Sequence, residues 1–144
     1  MNATIRKFGY PDTLLGNYRH WVVLLRPDQV TLGSLILACK GEAEKLSEVS
    51  AAAYVELPQA VADLEAALAG ALDHDKINYL LLMMVDRQVH FHVIPRYAAA
   101  REIDGRSFED AFWPGPPDVR QSLELGADSF AALQDLLRQR WPKA

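Results

Sequence analysis

Gln88-Val89-His90-Phe91-His92-Val93-Ile94-Pro95-Arg96 holds two of the chain's four histidines, one residue apart among bulky apolar neighbours. Successive side chains of a strand point to opposite faces, so Gln88, His90, His92 and Ile94 share one face and Val89, Phe91 and Val93 the other. The apolar set packs the core. The imidazoles then stand about 6–7 Å apart on the other face, and three readings of that face are open. It is a wetted strand surface on which histidine is a tolerated polar residue. It is part of a metal site, although zinc takes at least one more protein ligand and neither His20 nor His74 stands at a motif spacing. Or it is nucleophilic: a neutral imidazole attacks phosphorus or carbon once an acceptor on its second nitrogen fixes the tautomer, and a second imidazole one pleat away binds the same phosphate. That last reading requires a lone pair of His90 facing an open pocket large enough for a phosphate.

The elements that would position these residues follow from pattern. His20 to Leu25 is a short apolar run stopped by Arg26-Pro27, and Gly33 to Cys39 a second; both read as strands. Ser47 and Ser50 are candidate N-caps for a helix from Ala51 to about Leu72, whose apolar stripe is Leu57, Val61, Leu64, Leu68 and Leu72. Pro58 implies a kink or a later start. Ile77 to Val85 reads as a buried central strand, Asp86-Arg87 as a tight connection, and Gln88 to Ile94 as the returning strand, ended by Pro95. The first twenty residues, with Gly9, Pro11 and Gly16, read as loop and turns.

The chain reads as one domain over 1–144. Its motif-bearing core spans about 18–97, followed by an irregular segment over 98–127 with one helical turn at Phe108 to Phe112. A C-terminal helix lies within 128–141, from about Ser129 to Arg140.

QVHFHVIPR resembles the signature of the histidine triad (HIT) superfamily: three residues, usually histidine, at alternate positions with apolar residues between and two more apolar residues after. Here Gln88, His90 and His92 fill the slots and Val93-Ile94 close the motif. The early strand, the long helix and the hairpin partner carrying Asn78 occur in that family's order, so the likeness covers roughly 18–97. Some bacterial members are similar in having Gln in the first slot and a Trp-Pro element downstream, as at Trp113-Pro114.

The resemblance implies an α+β fold: an antiparallel sheet of about five strands, a long packed helix and a C-terminal helix. It implies a homodimer and nucleotide chemistry at an α-phosphate. By position His90 is the nucleophile, forming a nucleotidyl-histidine that water cleaves, and His92 polarises phosphate oxygens. Asn78 is the amide near ribose or phosphate. The function implied is a nucleotide hydrolase or nucleotidyl transferase; the alternative is a nucleotide-binding or interaction protein on this scaffold with little or no turnover.

Gln88 departs from the family's histidine. Glutamine donates an amide hydrogen bond but is no general acid near neutral pH. A leaving group of low pKa, such as a nucleotide phosphate, is therefore expected to outperform an amine.

Arg96 after the strand could approach a phosphate, or be an ordinary surface arginine. His20 lines a nucleotide pocket, or is a half-buried hydrogen-bonded histidine. Trp113 covers the site or stacks on a base, or plugs the irregular segment onto the core. His74, beside Asp73 and Asp75, reads as a solvated loop residue.

A formal net charge of −4 argues against bulk nucleic-acid binding. Cys39 stands alone, which rules out an internal disulfide and a Cys-x-x-Cys pair and suits a reducing, cytoplasmic compartment. The first twenty residues lack the pattern of a secretory signal, and no apolar run approaches the ~20 residues of a membrane span. No metal ligand set and no Gly-x-x-x-x-Gly-Lys loop is present. No cofactor is required, and a divalent cation could accompany the nucleotide.

Overall fold

Val22, Leu24, Ile36 and Ala38 alternate in sequence with Trp21, Val23, Leu25, Leu35, Leu37 and Cys39, and all of them are buried. Both faces of the strands that carry them must therefore be covered. In the computed structural model, which describes residues 1–143, this is the case. The strands are β1 (Leu14–Asn17), β2 (Trp21–Leu25), β3 (Leu35–Cys39), β4 (Lys76–Leu80) and β5 (His90–Arg96). They form one antiparallel five-stranded sheet in the order β1-β2-β3-β5-β4. The helices are α1 (Ala3–Lys7), α2 (Ala51–Leu72) and α3 (Gly126–Arg140), and a small hairpin is made by β6 (Arg101–Ile103) and β7 (Arg106–Phe108). Among the described residues no helix is long and apolar enough to cross a membrane.

α2 and α3 cover one face. Leu64, Leu68, Leu72, Leu133 and Leu137 pack there with Trp21, Val23, Leu25, Leu35, Leu37, Val89 and Val93. The other face is covered in part by α1, whose Ile5, with Phe8 just after it, packs on Val22, Leu24, Ile36 and Ala38.

Ser50 caps α2: its hydroxyl accepts the Ala53 N–H. The helix starts at Ala51 despite Pro58, because Pro58 lies on the exposed side, where solvent can replace the amide partner that the Tyr54 carbonyl loses.

Several elements differ from the sequence-based expectation. Ile77 to Val85 is not a buried central strand: β4 is a five-residue edge strand that ends at Leu80, opposite His92. Met83 takes a left-handed backbone (φ 48°), and Met84 and Val85 are 82 % and 83 % exposed. The connection is therefore long rather than a tight Asp86-Arg87 turn. An apolar run signals burial but not a ladder partner. Pro95 does not end β5. β3 begins at Leu35, opposite Val93, so the ladder on that side is over before the proline is reached.

The N-terminal twenty residues are not all loop. Asn2 caps α1 by accepting the Ile5 N–H, and Leu14–Asn17 form β1; both elements are too short for a periodic signal. Within 98–127, Arg101–Phe108 is a hairpin turning on Asp104 and Gly105, both at positive φ. Asp-Gly between short strands is a hairpin signal. Phe108 ends β7, so no helical turn starts there.

Candidate functional site

Register places the histidines. His90 lies opposite Ala38, and His92 lies between Ile36 on β3 and Leu80 on β4, so both imidazoles share the face that α1 covers. The small Ala38 leaves room beside His90. His90 Nδ1 is 2.7 Å from the Gln88 carbonyl oxygen. A carbonyl only accepts, so Nδ1 carries the hydrogen and Nε2 the lone pair. The first motif position thus orients His90 through its backbone. The Gln88 side chain turns to α1, where its Oε1 accepts from the Thr4 hydroxyl at 2.6 Å and its backbone N–H donates to that same oxygen.

The two imidazole centroids are 5.0 Å apart, edge to face. Burial first, then the His90 and Arg26 charges, push the His92 pKa down to about 4, with Asp86 opposing. His92 is therefore neutral at physiological pH, and its buried Nδ1 has no hydrogen-bond partner. Phe8 lies 5.6 Å from the His90 ring and 6.0 Å from that of His92. The expectation of an open pocket directly in front of His90 is not met: the residue is 1 % exposed, with Phe8 packed against its ring.

The open space lies one strand over. A cavity of about 550 Å³ is lined by Lys76, Asn78 and Leu80 of β4, Arg96, and the segment from Trp113 to Pro117. Leu80 is the cross-strand neighbour of His92, so this cavity lies beside the row of His92 on the same sheet face, although neither histidine lines it. Arg96 is not a free surface group. Its Nε donates to Asp110 at 2.7 Å and its Nη2 at 3.2 Å, with the two side chains 4 % and 2 % exposed. Arg96 Nη1 also donates to Asn78 Oδ1, which leaves the Asn78 Nδ2 hydrogens as the end free for a ligand.

The structure thus brings His90, His92 and Gln88 together, and next to them Asn78, Arg96 and Trp113. It does not bring in His20, which is held at the start of β2: its backbone N–H donates to Glu56 of α2 and its carbonyl accepts from Lys40. His74 is half-buried rather than solvated, with Nδ1 unpartnered. Among the described residues no three His, Cys, Asp or Glu side chains are grouped to hold a metal ion.

Sequence reasoning passed over Phe8, Thr4, Asp110 and Arg26. For Arg26 a signal existed: it continues the alternation of Val22 and Leu24. For the other three no local pattern points to a contact across the fold.

No family model and no curated protein matches the chain. Solved structures do. A histidine triad protein of Bradyrhizobium japonicum is similar with a TM-score of 0.74 at 19 % identity, over 99 % of this chain and 97 % of its own. One of Sinorhizobium meliloti 1021 is similar at 0.73 and 20 % identity, over 97 % and 95 %. One of Marinobacter aquaeolei VT8 is similar at 0.70 and 23 % identity, over 89 % and 87 %. The chain therefore has the α+β fold of histidine triad proteins.

Proposed function

We propose that the protein is a nucleotide hydrolase or nucleotidyl transferase acting at an α-phosphate, with His90 Nε2 as the nucleophile, which a phosphate reaches only when the Phe8 side chain packed against the His90 ring moves aside. The observation that carries this reading is the Gln88 carbonyl on His90 Nδ1, which leaves the lone pair on the other nitrogen. Nε2 attacks phosphorus; a P–N bond forms, the P–O bond to the leaving group breaks, and that group departs with the electron pair. Water then attacks the same phosphorus and releases its proton to solvent, the P–N bond breaks, and Nε2 recovers its lone pair. Neutral His92 donates a hydrogen bond to a phosphate oxygen without competing for the proton, and the Asn78 amide lies within the adjoining cavity. Trp113 offers a stacking surface at the far wall. Gln88 has no acid to offer, which favours phosphate leaving groups over amines.

A second copy of the chain is the expected partner. β4 presents a free edge, continuous with exposed Leu82, Met84 and Val85.

The 1 % exposure of His90 favours a second reading: a nucleotide-binding protein with little or no turnover. One experiment separates the two. The protein is incubated side by side with a dinucleoside polyphosphate and a nucleoside phosphoramidate, quenched, and weighed by intact-mass spectrometry. The catalytic reading expects a one-nucleotidyl adduct, stronger with the polyphosphate, that His90→Asn abolishes while nucleotide binding persists. Binding without adduct or turnover in either arm establishes the second reading. Absence of any nucleotide binding removes both.

A further inference from the structure

The histidine face carries two arginines in very different situations: Arg96 is buried and Arg26 is half-buried. Arg96 is matched on every side by Asp110 and Asn78. Arg26 is not. Its backbone N–H donates to the Ser34 carbonyl at 3.0 Å, so it extends the β2–β3 ladder by one residue past Leu25. Alternation then puts its side chain on the face of Val22 and Leu24, and Leu24 is in the same cross-strand row as Ile36 and His92.

Among the described residues no carboxylate lies within ion-pair distance of the Arg26 guanidinium. Nη1 donates to the Asp28 carbonyl, Nη2 reaches the Val119 carbonyl at 3.5 Å, and Nε is buried with no partner at all. The nearby Asp86 is held by Lys7 at 2.7 Å. Burial pushes the Arg26 pKa down, and its charge in turn depresses that of His92, so the two groups act on one space. His92 Nδ1 is the second orphaned polar atom there. A buried, unmatched Nε on a half-exposed guanidinium is costly unless a further acceptor completes it, and the open side of its planar fork suits a phosphate.

We propose that Arg26 is a specificity-determining residue that binds a second phosphate of the nucleotide, distinct from the one presented to His90. The inference rests on the functional reading above. The shared chemistry is a nucleotide with two phosphate groups, and two sources supply it: a 5′-polyphosphate chain, or a ribose carrying a further phosphate. Arg26 adds ground-state affinity for that group and takes no part in bond making.

The test is equilibrium binding to the full chain by calorimetry. The ligands are a nucleoside 5′-monophosphate, the 5′-diphosphate and the 3′,5′-bisphosphate, with wild type, Arg26→Gln and Arg26→Lys. One of the two-phosphate ligands is expected to bind wild type roughly 10- to 100-fold tighter than the monophosphate, the range of a charge-assisted contact. Which one does so identifies the source. Arg26→Gln loses that gain and keeps monophosphate affinity, which also reports that the variant is folded. Arg26→Lys, with the charge but no fork, retains part of it. Equal wild-type affinity for all three ligands overturns the inference, as does a gain that survives in Arg26→Gln; in both cases the nucleotide reading stands. If wild type does not bind the monophosphate, that reading falls and the inference with it.

Discussion

Asp110→Asn should be among the most damaging single substitutions outside the main core. The Asp110 carboxylate receives four hydrogen bonds: from Arg96 Nε and Nη2, and from the backbone N–H groups of Tyr97 and Phe112. Both side chains of the ion pair are nearly sealed from water. Asparagine keeps the shape but removes the charge and turns an NH2 toward a donor, leaving the Arg96 guanidinium buried without a counter-ion. Breaking such a pair from one side costs about 3–5 kcal/mol, far more than the pair contributes relative to apolar groups of similar volume. At roughly 3 °C per kcal/mol for a chain of this size, the midpoint falls by about 10–15 °C. The same substitution frees the start of the 113–117 segment, so the cavity wall at Trp113 loosens and nucleotide affinity falls with stability. Urea denaturation followed by tryptophan fluorescence measures the first effect. Arg96→Met combined with Asp110→Leu is the control: it removes both charges and should recover most of the loss. A penalty below about 1 kcal/mol for Asp110→Asn, or a double variant no better than the single one, would refute the reasoning.

Two further outcomes follow from the histidine pair. His92 has its folded pKa depressed from 6.5 to about 4, so between those values the unfolded chain binds a proton that the folded chain does not, and stability falls as pH drops through that window. The limit is about 3 kcal/mol; the stability gap between wild type and His92→Gln should shrink by that order from pH 7 to pH 4, and a pH-independent gap contradicts the assignment. Phe8→Ala should cost about 3 kcal/mol as a core truncation and speed carbethoxylation of His90 by diethyl pyrocarbonate. An unchanged modification rate would mean that another group screens the ring.

Period-two alternation alone put His90 and His92 on one face and Val89, Phe91 and Val93 on the other, and the structure agrees. The stripe and Ser50 cap of α2 were equally legible, because a cap and a helical face are contacts between residues a few positions apart. The sequence did not distinguish an edge strand from a central one. Ile77 to Leu82 is apolar apart from Asn78, yet β4 is at the rim, because β5 inserts between it and β3.

The candidate site divides along the same line. Residue types and spacing determined that the chain carries paired imidazoles with an amide and an arginine downstream. Only the tertiary structure decided which ring nitrogen of His90 is free, since a backbone carbonyl, not a side chain, settles it. It also decided that Phe8 screens the pair, that Asp110 takes Arg96, and that Arg26 is left unmatched. Local periodicity is encoded within a few residues. Partnership across a sheet depends on strand order and on what packs over each face, and the residues that meet there are separated by up to most of the chain.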